Sequence, residues 1–158
     1  REGLDEVREL TIAVDTRDNE PVDELGYLLP QLQQLQLMDS SLESIRDLGT
    51  SLKNLTVLRA ARCGLRELDG IGALVAVEEL YLAFNDIWDL TAIAFHDNLQ
   101  VLDLESNCID ETLQVSQLGT CEALWSLTLT GNPVARKCAT SSDYRQMVCK
   151  HVTTLQSL

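Results

Sequence analysis

The sequence predicts an α/β solenoid, in which a curved parallel sheet of about six strands forms the concave face and short helical or 3-10 segments form the convex face. Three observations predict this fold. Leucine supplies 29 of the 158 residues, aromatic residues supply only seven, and the leucines recur in a fixed frame. So much leucine with so few aromatic residues indicates one small apolar unit that is used repeatedly.

The repeated unit has the pattern L-x-x-L-x-L-x-x-[NC]-x-L-x-x-L-x-x-L, which is a leucine-rich repeat. Copies begin near residues 7, 32, 55, 77, 99 and 124, and the first copy is the weakest. The two leucines of L-x-L point to one side of a strand and the residue between them to the other. Because no repeat can bury its own apolar face, stacking supplies the core. Residues 1–158 are therefore predicted to form a single domain.

One position of the repeat lies where each strand ends and the chain turns inward. A buried Asn amide at this place can bond the backbone groups that the turn leaves unpaired. Ser or Cys at the same place is expected to bond more weakly. We call this place the Asn slot, and its occupants in chain order are Asp15, Ser40, Cys63, Asn85, Asn107 and Asn132.

The C-terminal segment, residues 135–158, leaves the repeat frame and predicts a helical cap. Ser141-Ser142-Asp143 is the expected N-cap of the helix. Tyr144, Val148, Val152 and Leu155 fall on one helical face and can cover the last repeat. The residues before Val7 are too few to cap the other end, so we expect the chain to be a piece of a longer protein.

Two of the repeats are longer than the others. Residues 15–31 contain the polar, turn-rich run Asp15-Thr16-Arg17-Asp18-Asn19-Glu20-Pro21, and residues 110–123 contain Asp110-Glu111-Thr112. Both segments are expected to be surface loops at the rim of the solenoid. Loops of this kind can bind a partner, although plain surface variation is the simpler interpretation.

The composition excludes several classes of function. Asp and Glu number 25 against 12 Lys and Arg, for a net charge of −13, which argues against binding nucleic acid or an anionic membrane. No apolar run approaches the length of a membrane span. The five cysteines form no C-x-x-C pair and are expected to be reduced thiols of a cytoplasmic protein, although their number alone leaves a disulfide framework open. No metal and no cofactor is predicted.

The candidate catalytic side chains do not predict an enzymatic role. Cys149 and His151 lie two residues apart on the predicted helix and point in different directions. His96 is expected in a solvated turn beside Asp97. Asp103 and Glu105 share one face of a strand and could in principle bind a divalent cation, but surface acidity is the plainer explanation. No catalytic residue is therefore assigned.

The frame also identifies the side chains that face solvent on the sheet, and an Arg and aromatic cluster stands out among them. Such a cluster is typical of an interface hot spot. Acidic side chains beside it favour a basic partner segment. We call the predicted partner-binding set the concave patch: Met38, Arg59, Arg62, Tyr81, Phe84, Asp103, Glu105 and Trp125.

The repeat frame also predicts the exposure of residues beside the concave patch and elsewhere. Val14 and the small residues Ala13, Ala61 and Ala83 are expected to face solvent, where small side chains let a helix or strand approach closely. Trp88 is expected on the convex side and Phe95 in the core. One alternative stays open: Phe84 shields the neighbouring strand, and Arg59 pairs with Glu79 or Asp103, so that the patch is only structural.

Several runs resemble the family of leucine-rich repeat-containing protein 56, and the resemblance covers roughly residues 7–158. The most specific are Arg46-Asp47-Leu48-Gly49-Thr50-Ser51-Leu52 and Ala61-Arg62-Cys63-Gly64-Leu65. The resemblance implies a monomeric, non-enzymatic adaptor for protein partners, such as dynein-arm or ciliary transport components. It implies a place in the cytoplasm and in the cilium or flagellum, in the assembly or transport of axonemal outer dynein arms. The wider short-repeat class also contains a regulator of protein phosphatase 1, so a regulatory phosphatase subunit or another cytosolic scaffold is the alternative.

Overall fold

The computed structural model describes residues 3–18 and 22–158. Within these residues the strands form one six-stranded parallel sheet in chain order, so each connection has to return along the opposite face. This arrangement confirms the predicted solenoid. The strands are β1 (Glu9–Ile12), β2 (Gln34–Leu37), β3 (Val57–Arg59), β4 (Glu79–Tyr81), β5 (Val101–Asp103) and β6 (Ser126–Thr128).

The register of the sheet matches the sequence frame residue by residue. The inward leucines of the six strands lie side by side: Leu10, Leu35, Leu58, Leu80, Leu102 and Leu127. From β2 onward each of them is almost completely buried, whereas Leu10 and Ile12 of β1 are half-buried. β1 pairs only with β2 among the described residues, so the first repeat has a stacked neighbour on one side only.

Short helical turns cover the underside of the sheet, as the frame predicts. They bury an apolar residue at nearly every turn, because a single turn is enough to place one side chain in the core. The 3-10 turns after β2 to β5 are Ile45–Leu48, Ile71–Ala73, Thr91–Ile93 and Leu118–Thr120, and the last follows directly on helix α2 (Thr112–Gln117). The expectation of a loop over residues 110–123 is therefore wrong, since α2 and a 3-10 turn occupy most of that segment and Val115 is fully buried.

The other long unit is also partly helical. A 3-10 turn spans Thr16–Asp18, and α1 spans Leu25–Leu28. Residues 19–21 of the predicted polar excursion lie outside the described residues. Val14, expected to face solvent, is instead buried, and its N–H donates to Ser40 Oγ over 3.0 Å. This hydrogen bond joins the end of the first repeat to the second repeat.

The Asn slot ties each repeat to the one before it. Asn85 Oδ1 accepts from the N–H groups of Cys63 and Leu65 at 2.9 and 3.0 Å. Its Nδ2 donates to the carbonyls of Ala60 and Leu82 at 2.8 and 2.9 Å. Asn107 and Asn132 make the same two carbonyl bonds one and two repeats later, and their Oδ1 atoms each accept from one N–H group, that of Ile87 and that of Ile109.

The weaker occupants of the slot bond less, as expected. Ser40 Oγ makes two bonds, accepting from Val14 N–H and donating to the Met38 carbonyl. Cys63 Sγ donates only to the Ala61 carbonyl, over 3.4 Å. Asp15 is half-buried and pairs with Arg17 at the surface, so the first slot does not hold a buried polar residue.

The residue before the slot adopts a left-handed backbone in five repeats. The φ angles are 49° at Asp39, 57° at Arg62, 58° at Phe84, 52° at Ser106 and 81° at Gly131. Left-handed backbone costs a bulky L-residue about 1–2 kcal/mol, so glycine is its usual occupant. The sequence frame did not reveal this feature, because only one of the five residues is glycine.

The C-terminal cap forms as predicted, with a different first residue. Helix α4 spans Ser141–His151, after the short helix α3 (Pro133–Arg136). Its N-cap is Thr140, whose side chain accepts from the Asp143 N–H while the Asp143 carboxylate accepts from the Thr140 N–H. The expected cap at Ser141-Ser142-Asp143 is therefore one residue late, because the reciprocal capping box needs its acidic residue three positions after the cap.

Beyond the helix, the chain end completes the cap. Val148 and Val152 are buried, and Tyr144 and Leu155 pack against the core, but only Tyr144 and Val148 lie on the helix, so the predicted helical face is wrong for Val152 and Leu155. The N–H groups of Gln156 and Ser157 then donate to the Trp125 carbonyl, and the Ser157 carbonyl accepts from Leu127. This short bridge pairs the outer edge of β6 with the chain end.

Candidate functional site

The sheet register places the predicted outward residues in one continuous row across the concave face. This row, from β1 to β6, is Thr11, Gln36, Arg59, Tyr81, Asp103 and Thr128. The second row consists of the left-handed turn residues that follow the strands. Parallel strands lie about 4.8 Å apart, so side chains in one row are within reach of their neighbours.

Arg59 and Tyr81 stack on each other across β3 and β4. The Arg59 Cζ atom lies 4.1 Å from the centre of the Tyr81 ring, which is the geometry of a cation–π contact. The Tyr81 hydroxyl donates a hydrogen bond of 2.7 Å to Glu79 Oε2. This hydrogen bond to a carboxylate, together with partial burial, raises the pKa of Tyr81 above its ordinary value. The ring is therefore held at both its face and its hydroxyl.

Arg62 and Phe84 form a second stack of the same kind in the turn row. The Arg62 Cζ atom lies 4.1 Å from the centre of the Phe84 ring. Both residues have left-handed backbone, and both are exposed. Strained backbone at exposed, bulky residues is a feature that commonly accompanies function, because glycine at these positions would cost less.

The ion-pair alternative for Arg59 is wrong. Salt bridges in the described part of the chain join Arg17 to Asp15, Arg46 to Asp69 and Lys137 to Asp110. Arg59 and Arg62 take part in none of them. Glu79 instead accepts from Tyr81, and Asp103 Oδ1 accepts from the Glu105 N–H over 3.0 Å.

The other members of the concave patch are placed unevenly. Met38, half exposed, directly follows β2. Asp103 and Glu105 are half-buried on β5 and just after it. Trp125 is 42% exposed, but it precedes β6, at the opposite end of the strands from Phe84 and two strands away. The structure therefore does not bring Trp125 to the two Arg stacks. Ala83 is buried, so it is not the small surface residue that the frame predicts, whereas Ala13 and Ala61 are exposed.

The burial of Phe95 and of His96, which lie outside the sheet rows, differs from the prediction. Phe95, expected in the core, is 75% exposed and has a left-handed φ of 62°. His96, expected in a solvated turn, is buried, and its Nε2 lies 3.2 Å from the Leu74 carbonyl oxygen. A carbonyl only accepts, so Nε2 carries the proton. The apolar spacing of Ile93 and Leu99 could not show which of the two residues between them turns inward.

The five cysteines are all unpaired and do not cluster. Cys63 and Cys121 are buried, and burial raises the pKa of both thiols. Cys108 is exposed. The residues that the structure describes contain no cluster of three or more His, Cys, Asp or Glu suited to a metal ion. They also contain no helix with the length and apolar character needed to cross a membrane.

Comparison with known proteins agrees with the repeat frame. The family model described as leucine rich repeat matches residues 76–134. Leucine-rich repeat-containing protein 56 of Rattus norvegicus is 48% identical over 136 residues, which cover 86% of this chain and 25% of the relative. The Homo sapiens protein of the same name is 44% identical over 160 residues, which cover 96% of this chain and 29% of the relative. The chain thus spans about a quarter of the length of these curated relatives.

Solved structures support the fold. A crystal structure of an internalin from Listeria monocytogenes superposes with a TM-score of 0.66 at 17% sequence identity. The match covers 84% of this chain and 36% of the internalin chain. At this level of identity, the similarity concerns the fold alone.

Proposed function

Since this chain belongs to the leucine-rich repeat proteins and is a homologue of leucine-rich repeat-containing protein 56 over most of its length, we propose that it is a protein-binding module for the assembly or transport of outer dynein arms in cilia or flagella. The support for a binding role comes from the fold and the concave patch. The support for the ciliary role comes from the family resemblance of the sequence.

The observation that carries the binding role is the pair of Arg-on-ring stacks. One lies on β3 and β4 and the other in the turns that follow these strands, near the middle of a six-stranded concave surface. Arg and aromatic side chains dominate the binding energy of protein interfaces. The rings are pre-positioned by the stacking and by the Tyr81–Glu79 hydrogen bond, so little side-chain entropy remains to be lost on binding.

The rest of the molecule gives the site a rigid frame. The leucines beneath the two stacks, Leu58 and Leu80, are fully buried, and the Asn slots anchor the turns that carry Arg62 and Phe84. A preformed surface of this kind suits an adaptor, which has to hold a partner without changing it chemically.

The test is made in the full-length protein, expressed in ciliated cells that lack their own copy. The variant R59A/Y81A/F84A removes both stacks, and we expect it to recover about tenfold less outer-arm dynein heavy chain by immunoprecipitation than the unaltered protein. The matched control W88A/F95A removes two exposed aromatic residues that lie away from the sheet rows, and it should recover dynein normally.

Normal recovery of dynein by the R59A/Y81A/F84A variant would overturn the concave patch as the binding site. Recovery of a phosphatase catalytic subunit without dynein by the unaltered protein would instead favour the regulatory-subunit alternative. Melting temperatures of the purified domain variants establish that each is folded.

A further inference from the structure

The concave surface carries a charge gradient across three neighbouring strands. β3 and its turn contribute Arg59 and Arg62, β4 and its turn contribute the rings of Tyr81 and Phe84, and β5 and the residues after it contribute Asp103 and Glu105. One face thus changes from positive to aromatic to negative within about 10 Å, which is twice the strand spacing.

The positive end is unusual in this protein. The net charge is −13, and Arg59 and Arg62 are the only Lys or Arg in the strand and turn rows of the described concave face. Asp39 precedes Arg62 in the turn row, yet no salt bridge joins them in the described part of the chain. A guanidinium stacked on a ring uses its face, so its N–H edge remains directed at other acceptors.

The negative end is built differently. Asp103 Oδ1 accepts from the Glu105 N–H, which fixes the carboxylate and leaves its second oxygen as an acceptor. Neither Asp103 nor Glu105 belongs to a salt bridge in the described residues. No salt bridge of the described residues joins Glu79 to Arg59, and the Glu79 carboxylate accepts from Tyr81. Within the described residues, neither end is therefore paired in a salt bridge.

We infer that the concave patch binds a partner segment that crosses the strands in one direction, with a carboxylate side chain on Arg59 and Arg62, an apolar side chain on the two rings, and a Lys or Arg on Asp103 and Glu105. This inference rests on the proposed function and specifies the partner of that site. The occupant at the positive end is an Asp or Glu and not a phosphate group, because the nearby carboxylates repel a dianion more strongly than a single charge.

The strand spacing sets the spacing of the partner motif. An acidic and a basic residue about 10 Å apart correspond to about three residues of extended chain, or to about seven residues of helix. The partner is therefore expected to carry its acidic, apolar and basic residues in this order or in its reverse, at one of these two spacings.

The probe is a phage-displayed library of random peptides, selected on the complete 158-residue chain. We expect the selected peptides to share the acidic, apolar and basic pattern. Two charge-neutralising variants test the ends separately. In selections on R59Q/R62Q the acidic preference should disappear while the basic one remains, and in selections on D103N/E105Q the reverse should hold. The Asn in D103N keeps an oxygen for the Glu105 N–H, so the turn is preserved.

The affinity of one peptide selected on the unaltered chain is then measured on each variant. R59Q/R62Q and D103N/E105Q should each weaken binding about tenfold. A control variant, Arg66→Gln, removes an exposed Arg that lies outside the sheet rows, and it should leave the affinity unchanged.

The outcomes separate this inference from the proposed function. Peptides that need Tyr81 and Phe84 but show no order of charges, or that prefer phosphoserine to Glu, would overturn the inference and leave the concave site standing. Peptides that bind Y81A/F84A as tightly as the unaltered chain would overturn the concave site itself. A library that yields no binder would contradict docking of a short segment.

Discussion

Single buried side chains join one repeat to the next in this molecule. Asn107 is the clearest case, since its Oδ1 accepts from Ile87 N–H and its Nδ2 donates to the carbonyls of Leu82 and Leu104. These backbone groups lie in turns and have no strand partner at those positions. One amide therefore joins the backbone of two neighbouring repeats, and it shares the carbonyls of Leu82 and Leu104 with the amides of Asn85 and Asn132.

Removing this amide should destabilise the domain. Asn107→Ala leaves the buried Ile87 N–H without its acceptor and removes one of two amide donors from the carbonyls of Leu82 and Leu104, and we expect the free energy of unfolding to fall by about 1–3 kcal/mol. The control is Asn98→Ala, which removes an exposed amide that donates to the Val75 carbonyl alone. Urea denaturation measures both, and equal losses in the two variants would mean that water replaces the Asn107 amide.

The Asn slot could be predicted from the sequence, because an Asn follows the L-x-L at the same distance in each of the last three repeats. The left-handed turn before the slot could not be predicted, since Asp, Arg, Phe and Ser occupy four of its five positions. The pairing of each Arg with an aromatic ring was also missed. It depends on the register between strands, and two residues 22 positions apart show no local pattern.

The elements themselves follow from apolar spacing, and the errors lie at their ends. Strand and convex turns fall where the leucine frame places them, because each inward residue needs a buried position. The predicted N-cap of α4 is one residue late. Thr140, Ser141 and Ser142 all have a hydroxyl that can cap a helix, but only Thr140 has Asp143 three positions later. Helix α2 was missed because its repeat is longer than the frame.

The cap helix α4 depends on a close approach at Gly119. An added Cβ at this glycine would overlap the carbonyl oxygen of His151, the last residue of α4. Backbone cannot yield as a flexible side chain does. The absence of a side chain at Gly119 therefore lets the end of the helix pack onto the last convex turn.

Gly119→Ala should loosen this contact. We expect the free energy of unfolding to fall by about 1–3 kcal/mol, and amide hydrogen exchange in α4 to accelerate more than exchange in β3 and β4. Gly72→Ala is the matched control, because that glycine also lies in a 3-10 turn and an added Cβ there has no neighbour within 4 Å. The Gly72 variant should be unchanged or more stable by up to about 1 kcal/mol. Unchanged exchange in α4 of the Gly119 variant would contradict this packing.

In the whole molecule, the stacking of repeats aligns residues that are far apart in sequence into one continuous surface. Residues separated by 22 or more positions become neighbours because every repeat contributes one residue to each row. Although the net charge is −13, the concave face has two arginines stacked on aromatic rings, and carboxylates on the next strand. The cluster could be predicted from the frame, but its internal order could not.

Phe84→Gly separates a role of the two stacks in partner binding from a role in stability. Glycine relieves the left-handed backbone at Phe84, about 1–2 kcal/mol, and this offsets much of what is lost with the ring, namely the contact with Arg62, about 0.5–1 kcal/mol, and the burial of a side chain that is 40% exposed. Melting of the variant should therefore stay close to that of the unaltered domain.

The most direct measurement is the amount of outer-arm dynein heavy chain that the full-length F84G protein recovers from ciliated cells. We expect the recovery to fall several-fold while the domain remains folded. Recovery equal to that of the unaltered protein would contradict a role of the two stacks in partner binding.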